Sequence, residues 1–505
     1  RGIKVISNAG GINPAACADA LRALAAEQGI RLRIAVVEGD DVMALLSQPT
    51  HGRLLSANAY LGAVPIARAL DAGADVVITG RCVDSAVTLG ALMHEFGWTD
   101  ADFDRLAAGS LAGHLIECGC QATGGLFTDW QDVPDWAGIG YPIAECRRDG
   151  SFVVTKPPGT GGLVVPAAVS EQLLYEIGDP AAYLLPDVIC DFRDVTIEPD
   201  GPARVRVAGA RGSPPTDRYK VSATSMDGYR AAGTLVVVGI DAVRKAQRTG
   251  EAILERTRTL LRDAGLADYR ASRIEVVGGE SLYGPHGRVP DAREVMMRVV
   301  VDHASRPALE LFAREIAPAG TSWSPGTTGA SGGRPSVSPL ITPSSFLIDK
   351  REVTVHVVLD GVRHRIEPAL HAGSVPSTPP RIPPPFIEPD GPTVDVPLVR
   401  LAWARSGDKG DLSNIGLVAR RREWLPLLWS RITPEVVHAY FAHLVDGPVE
   451  RFYLPGIAAI NLLLHGALDG GGTASHRIDP LGKGMGQMLL DLQVSVPAEV
   501  AAQFR

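Results

Sequence analysis

Between His371 and Pro397 the chain carries nine prolines in 27 residues, HAGSVPSTPPRIPPPFIEPDGPTVDVP. A run this poor in backbone donors cannot build a packed core, so it predicts an extended, semi-rigid linker. It divides the 505 residues into a long region, 1–370, and a small domain, 396–505, joined by the linker at 371–395. At roughly 150 residues per domain, the long region has room for two parts.

Residues 1–150 alternate short apolar strands with amphipathic helices. Strands are predicted at Ile3–Ser7, Arg33–Val37 and Asp75–Thr79, and helices at 14–28, 59–70, 85–96 and 104–117. Asn13-Pro14 reads as a helix start, with Asn as cap and Pro at the first position. This order argues for α/β architecture with a Rossmann-like parallel sheet. Residues 125–160, with Trp130 and Trp136 among Gly, Pro and Asp, read as a long aromatic-rich loop. Residues 151–370 mix strands and helices as an α+β part. A hairpin is expected around Asp360-Gly361, and 320–339 reads as a surface loop. The last domain carries four expected strands and two helices, the size and order of a ferredoxin-like α+β fold.

Net charge is −8 and aromatic residues make up 6%. Both argue against nucleic-acid binding. No apolar run reaches the roughly 18 residues of a membrane span. Six cysteines do not make a disulfide scaffold, and no signal or transit sequence precedes the first strand. A soluble, reduced, cytoplasmic protein is expected.

The densest chemistry lies just after the early strands. The first ends in Asn8-Ala-Gly10-Gly11-Ile-Asn13-Pro14, the second in Glu38-Gly-Asp40-Asp41, the third in Thr79-Gly-Arg81-Cys-Val-Asp84. In a parallel sheet such ends share one edge, where ligands bind. Asn8, Gly10, Gly11 and Asn13 form a turn that favours an anion at a helix start. Arg81 can grip a carboxylate or phosphate. Glu38, Asp40 and Asp84 are candidates for proton transfer. A GxGxxG fingerprint is absent, which argues against a nicotinamide-dependent oxidoreductase.

Three further stretches stand out. In Gly113-His114-Leu-Ile-Glu117-Cys118-Gly-Cys120, His114 and Cys118 share a helix face, with Glu117 beside them. The spacing matches no standard zinc pattern, so no metal is assigned; Glu117 is a second acid–base candidate and Cys118 a candidate nucleophile. Lys156-Pro-Pro-Gly159-Thr160-Gly161-Gly162 is a stiff turn able to present N–H groups to an anion, although Walker A spacing fails. Arg405-Ser-Gly-Asp408-Lys409-Gly-Asp411 packs charge into a glycine-rich loop whose expected partner is Gly482-Lys483-Gly484-Met485-Gly486. Only seven lysines occur; Lys156 and Lys409 are expected to face a shared cleft or a domain interface.

Taken in order, NAGGINP, VEGDD, TGRCVDSA, GHLIECGCQATGG, KPPGTGG and ARSGDKGDLSNIG resemble the acyclic terpene utilisation protein A (AtuA) family over nearly the whole chain. The resemblance implies an N-terminal α/β region, a C-terminal ferredoxin-like domain and bacterial catabolism of branched acyl compounds, where intermediates are CoA thioesters. The expected function is an enzyme of hydratase/lyase or hydrolase type acting on a branched acyl-CoA or related carboxylate. CoA is then part of the substrate, and no other cofactor is expected. The alternative is a non-catalytic binding or assembly subunit. Expected partners are a small anionic substrate and either a second copy of the chain or a catabolic partner.

Overall fold

The computed structural model describes residues 2–46, 53–329, 332–371, 373–375 and 380–504. The expected early elements form. The helix Pro14–Glu27 starts at Asn13, whose side chain accepts from the Ala16 N–H at 3.0 Å. Strands Val5–Ser7 and Ile34–Glu38 both lie parallel to Val76–Thr79. These are the outer and inner neighbours of one sheet whose C-terminal ends share an edge.

That sheet is mixed, and the expected Rossmann-like sheet is not what forms. The hairpin Val355–Leu359 and Val362–Ile366 completes it, running antiparallel to Ile34–Glu38. Asp360 and Gly361 turn the hairpin with φ of 52° and 80°, values that suit a two-residue turn between twisted strands. The added strands come from some 300 positions downstream, a pairing that local alternation cannot signal.

A second sheet is organised by one strand of 21 residues, Arg218–Val238. It pairs with Glu294–His303 and Val337–Asp349, and its first half takes Arg53–Ala59 from the N-terminal part. The helix expected from Ala59 therefore starts later, at Val64–Asp71. The segment 320–339, expected as a loop, contributes Thr327–Gly329 and the start of Val337–Asp349; residues 330 and 331 within it lie outside the described residues. The expected aromatic loop at 125–160 is likewise ordered, with strands Ile143–Cys146 and Phe152–Thr155 in a four-stranded antiparallel sheet.

The C-terminal domain is a four-stranded antiparallel sheet in the order Ala402–Lys409, Leu412–Ala419, Ala459–Leu464, Val449–Leu454. Its helices Leu425–Arg431 and Pro434–Tyr440 cover one face, with their own buried core. The linker is laid on the surface by ion pairs from Arg381 to Asp194 and from Glu388 to Arg431; its residues 372 and 376–379 lie outside the described residues.

The other face of that sheet meets the helix Pro166–Leu174. Along Ala402–Lys409, alternate residues point to it, as strand geometry requires. Trp403 donates to Asp129 and Arg405 pairs with Glu171. Gly407 lies against Tyr175 and Glu176; a Cβ there would sit 2.7 Å from the Glu176 Cγ. Lys409 follows on the same side.

Candidate functional site

The sequence segments that carry charge meet where these two bodies touch. Asp84 follows the strand Val76–Thr79 and precedes the helix Ala86–Phe96. The helix Phe103–Ile116 packs directly on this turn because Gly113 has no side chain; a Cβ there would be 2.7 Å from the Ser85 Cα. That contact brings Glu117 and Cys118, at the helix end, beside Asp84. Lys409 arrives from the C-terminal domain, its ammonium 5.4 Å from the ring centre of Tyr183.

Asp84 is open to solvent yet hemmed in by protein. Burial, then the charge of Glu117, raises its carboxyl above the ordinary value, while Arg81 and Lys409 pull it down. This is the balance expected of a carboxylate kept ready to take up and release a proton. Burial pushes the Cys118 thiol up to about 11, with Glu117 and Glu176 adding to it. It is therefore a thiol, not a thiolate, at neutral pH.

His114 is buried in the same place. Its Nε2 lies 3.1 Å from the Leu173 carbonyl and its Nδ1 3.2 Å from Glu117. A carbonyl only accepts, so Nε2 carries a hydrogen. Both ring nitrogens are thus engaged within the protein.

On the C-terminal side, Lys483 donates to Glu176 at 2.7 Å, to Asp408 at 3.0 Å and to the Tyr175 hydroxyl. The loops 405–411 and 482–486 are joined as expected, through Asp408. Glu176 takes a left-handed backbone, φ 56°, uncommon for a side chain of this size. Its N–H donates to Asn414 at 2.9 Å.

Of the residues singled out in the sequence, Arg81, Asp84, Glu117, Cys118, Asp408 and Lys409 come together here. The others do not. Glu38 pairs with Arg363 at 3.1 Å across the mixed sheet. Asp40 is buried and accepts from Asn58 at 2.9 Å and from the Arg81 N–H at 2.8 Å, so it braces the turn that carries Arg81. Asn8 and Asn13 form the turn and the cap, Gly10 is buried against the Thr79 carbonyl, and Gly11 is exposed. Lys156 donates to the Thr160 carbonyl within its own turn. There Thr160 closes back on Pro157, Gly161 donates to Gly138, and Gly159 faces solvent. That turn is braced by 134–140, and the Gly161 N–H it would have offered an anion is occupied. Asp411 accepts from the N–H groups of Leu468 and Gly470 within its own domain.

Tyr60, Lys220, Tyr175, Glu176 and Tyr183 belong to the cluster and were not singled out by sequence. They sit on ordinary strands and helix ends, without the glycine punctuation that marked the other segments.

Comparison with known proteins adds two matches. A family model described as acyclic terpene utilisation family protein AtuA matches residues 1–359, and one described as the AtuA ferredoxin-like domain matches residues 396–495. No curated protein and no solved structure matches the chain significantly. The first match spans well over half of the sequence and the second covers the domain beyond the linker; the chain belongs to the acyclic terpene utilisation family AtuA.

Proposed function

We propose that the chain is an enzyme of acyclic terpene breakdown that adds or removes water at a branched acyl thioester or related carboxylate, in the site between its two bodies. The observation that carries this reading is Asp84, a solvent-reachable carboxyl raised by burial and by Glu117, beside the cations Arg81 and Lys409. Such a carboxylate suits proton abstraction next to a carbonyl, and nearby cations suit the charge that then develops on the carbonyl oxygen. In the dehydration direction Asp84 takes the proton from the carbon next to the carbonyl. The electron pair forms the carbon–carbon double bond, and the C–O bond at the next carbon breaks. The departing hydroxide takes a proton from Glu117, acting as the acid with His114 3.2 Å away, and leaves as water. Hydration is the reverse. The protonated state of Cys118 favours this chemistry over thiolate attack on an acyl group.

The test is a turnover screen of the full chain over branched acyl-CoA thioesters, saturated, unsaturated and 3-hydroxylated. Water addition or loss that falls at least 100-fold in Asp84→Asn supports the reading. Turnover unchanged in that variant, or only free acid and CoA as products, rejects it.

A further inference from the structure

Arg81, Lys220 and Lys409 make no ion pair among the described residues, although they sit close together. Arg81 lies 5.1 Å and Lys220 5.9 Å from the ring centre of the same tyrosine, Tyr60. The backbone laces them: the Tyr60 N–H donates to the Lys220 carbonyl at 2.9 Å, and the Leu61 N–H to the Arg81 carbonyl at 3.3 Å. Lys220 comes from the long strand Arg218–Val238 and stays exposed. Burial and the charge of Lys409 push its ammonium below the ordinary value. The carboxylates facing this group are Asp84, beside both Arg81 and Lys409, and Glu176, on the Lys409 side. Glu176 is already bonded by Lys483. Asp84 makes no ion pair among the described residues, so three cations face one carboxylate that none of them has bonded.

Like charges held together repel, and contact with an aromatic face returns less than a charge-assisted hydrogen bond to an oxyanion. An arriving anion can therefore draw these side chains off the rings. A single carboxylate is satisfied by one guanidinium fork. Three cations reaching in from three separate segments instead match a tetrahedral, multiply charged group.

We propose that Arg81 and Lys220 at Tyr60, together with Lys409 at Tyr183, bind a phosphate-ester group of the substrate. This rests on reading the neighbouring Asp84 site as the substrate site, and it assigns the part of the ligand remote from the reacting carbon. Lys220 and Tyr60 are its specificity-determining residues.

Titration calorimetry of the full chain with sodium diphosphate tests this, with succinate as a dicarboxylate comparator. Diphosphate is expected to bind at least tenfold more tightly than succinate, to weaken with added salt, and to weaken at least tenfold in Lys220→Gln and in Arg81→Gln. A second measurement needs no variant. Diphosphate should slow acetylation of Lys220 and Lys409 by acetic anhydride, read by mass spectrometry, and leave Lys4 unprotected. Equal affinity for succinate, unchanged diphosphate affinity in both variants, or no protection of Lys220 overturns the proposal. Dependence of turnover on Asp84 is read separately, so loss of this assignment and loss of the acid–base reading give different results.

Discussion

Arg405 and Glu171 form an ion pair at 2.9 Å with side chains 5% and 0% exposed. Arg405 belongs to the first strand of the C-terminal sheet and Glu171 to the helix Pro166–Leu174. Arg405 also donates to Gln121 at 2.5 Å and to the Gly125 carbonyl at 3.2 Å, and Glu171 accepts from the Thr128 N–H at 3.1 Å. The contact ties the strand that carries Lys409 to the helix Pro166–Leu174 and to the segment 121–128, so it is a positioning contact for the candidate site.

Removing one partner leaves the other charged and dry. Arg405→Met is therefore expected to cost about 3–5 kcal/mol in urea unfolding, while Arg405→Met with Glu171→Leu should recover much of that loss. A single variant as stable as the parent would mean that water reaches Glu171 and that the interface is looser than described.

Asp84 and Glu117 should be coupled in the pH dependence of turnover. The Asp84 carboxyl is raised by burial and by Glu117 and lowered by Arg81 and Lys409. A base works only when deprotonated, so the acid limb of kcat/KM reports this group. Glu117→Gln removes a raising charge and, in the turnover that survives loss of this acid, should move the acid limb to lower pH. Lys409→Met removes a lowering charge and should move it to higher pH. Limbs that stay in place in both variants would take Asp84 out of the mechanism.

Asn414 is buried and bridges three groups. Its side-chain N–H donates to the Leu174 carbonyl at 2.6 Å and to Asn461 at 3.1 Å, and its oxygen accepts from Glu176 at 2.9 Å. Asn414→Leu leaves the Leu174 carbonyl and the Glu176 N–H without this partner, at about 1–3 kcal/mol for each group left unsatisfied. Calorimetric unfolding should show the loss, and Asn414→Gln should not restore it, because the longer side chain does not fit the same bridge. A midpoint unchanged in Asn414→Leu would indicate that water replaces the amide.

These residues also show what the sequence could and could not reveal. Asn13-Pro14 and Asp360-Gly361 were legible because a cap and a tight turn are local events. Only the first three residues of the strand Val337–Asp349 fall in the stretch 320–339 expected as a loop, and the strand carries Pro339 and Pro343. Among the described residues it pairs only with Arg218–Val238, and on an open edge a missing N–H interrupts nothing. The strand Arg218–Val238 was legible only near its end, at 233–238, since VSATSMDGYRAAG before it is small and polar and lacks a bulky apolar alternation. In the site, Asp84, Glu117 and Lys409 were marked by unusual loops. Lys220 and Tyr60 gain meaning only from pairing between Arg53–Ala59 and Arg218–Val238, a register that no local pattern encodes.

Glu176 and Lys483 should make the interface sensitive to acid. Burial pushes the Glu176 carboxyl up, but hydrogen bonds from Lys483 and Tyr175 outweigh it, and the carboxyl lies below its ordinary value of 4.5. A lowered carboxyl contributes stability that is complete above the unfolded value and is lost as pH falls through the folded one. Both side chains are partly open, at 37% and 29%, so the direct loss at neutral pH in Lys483→Met is about 1 kcal/mol or less. Its signature is in the pH dependence instead. Urea midpoints of parent and Lys483→Met should differ at pH 7 and converge as pH falls below the ordinary carboxylate value and Glu176 takes up its proton. A constant difference across that range would mean that Lys483 acts through packing on Tyr175, with its charge playing no part.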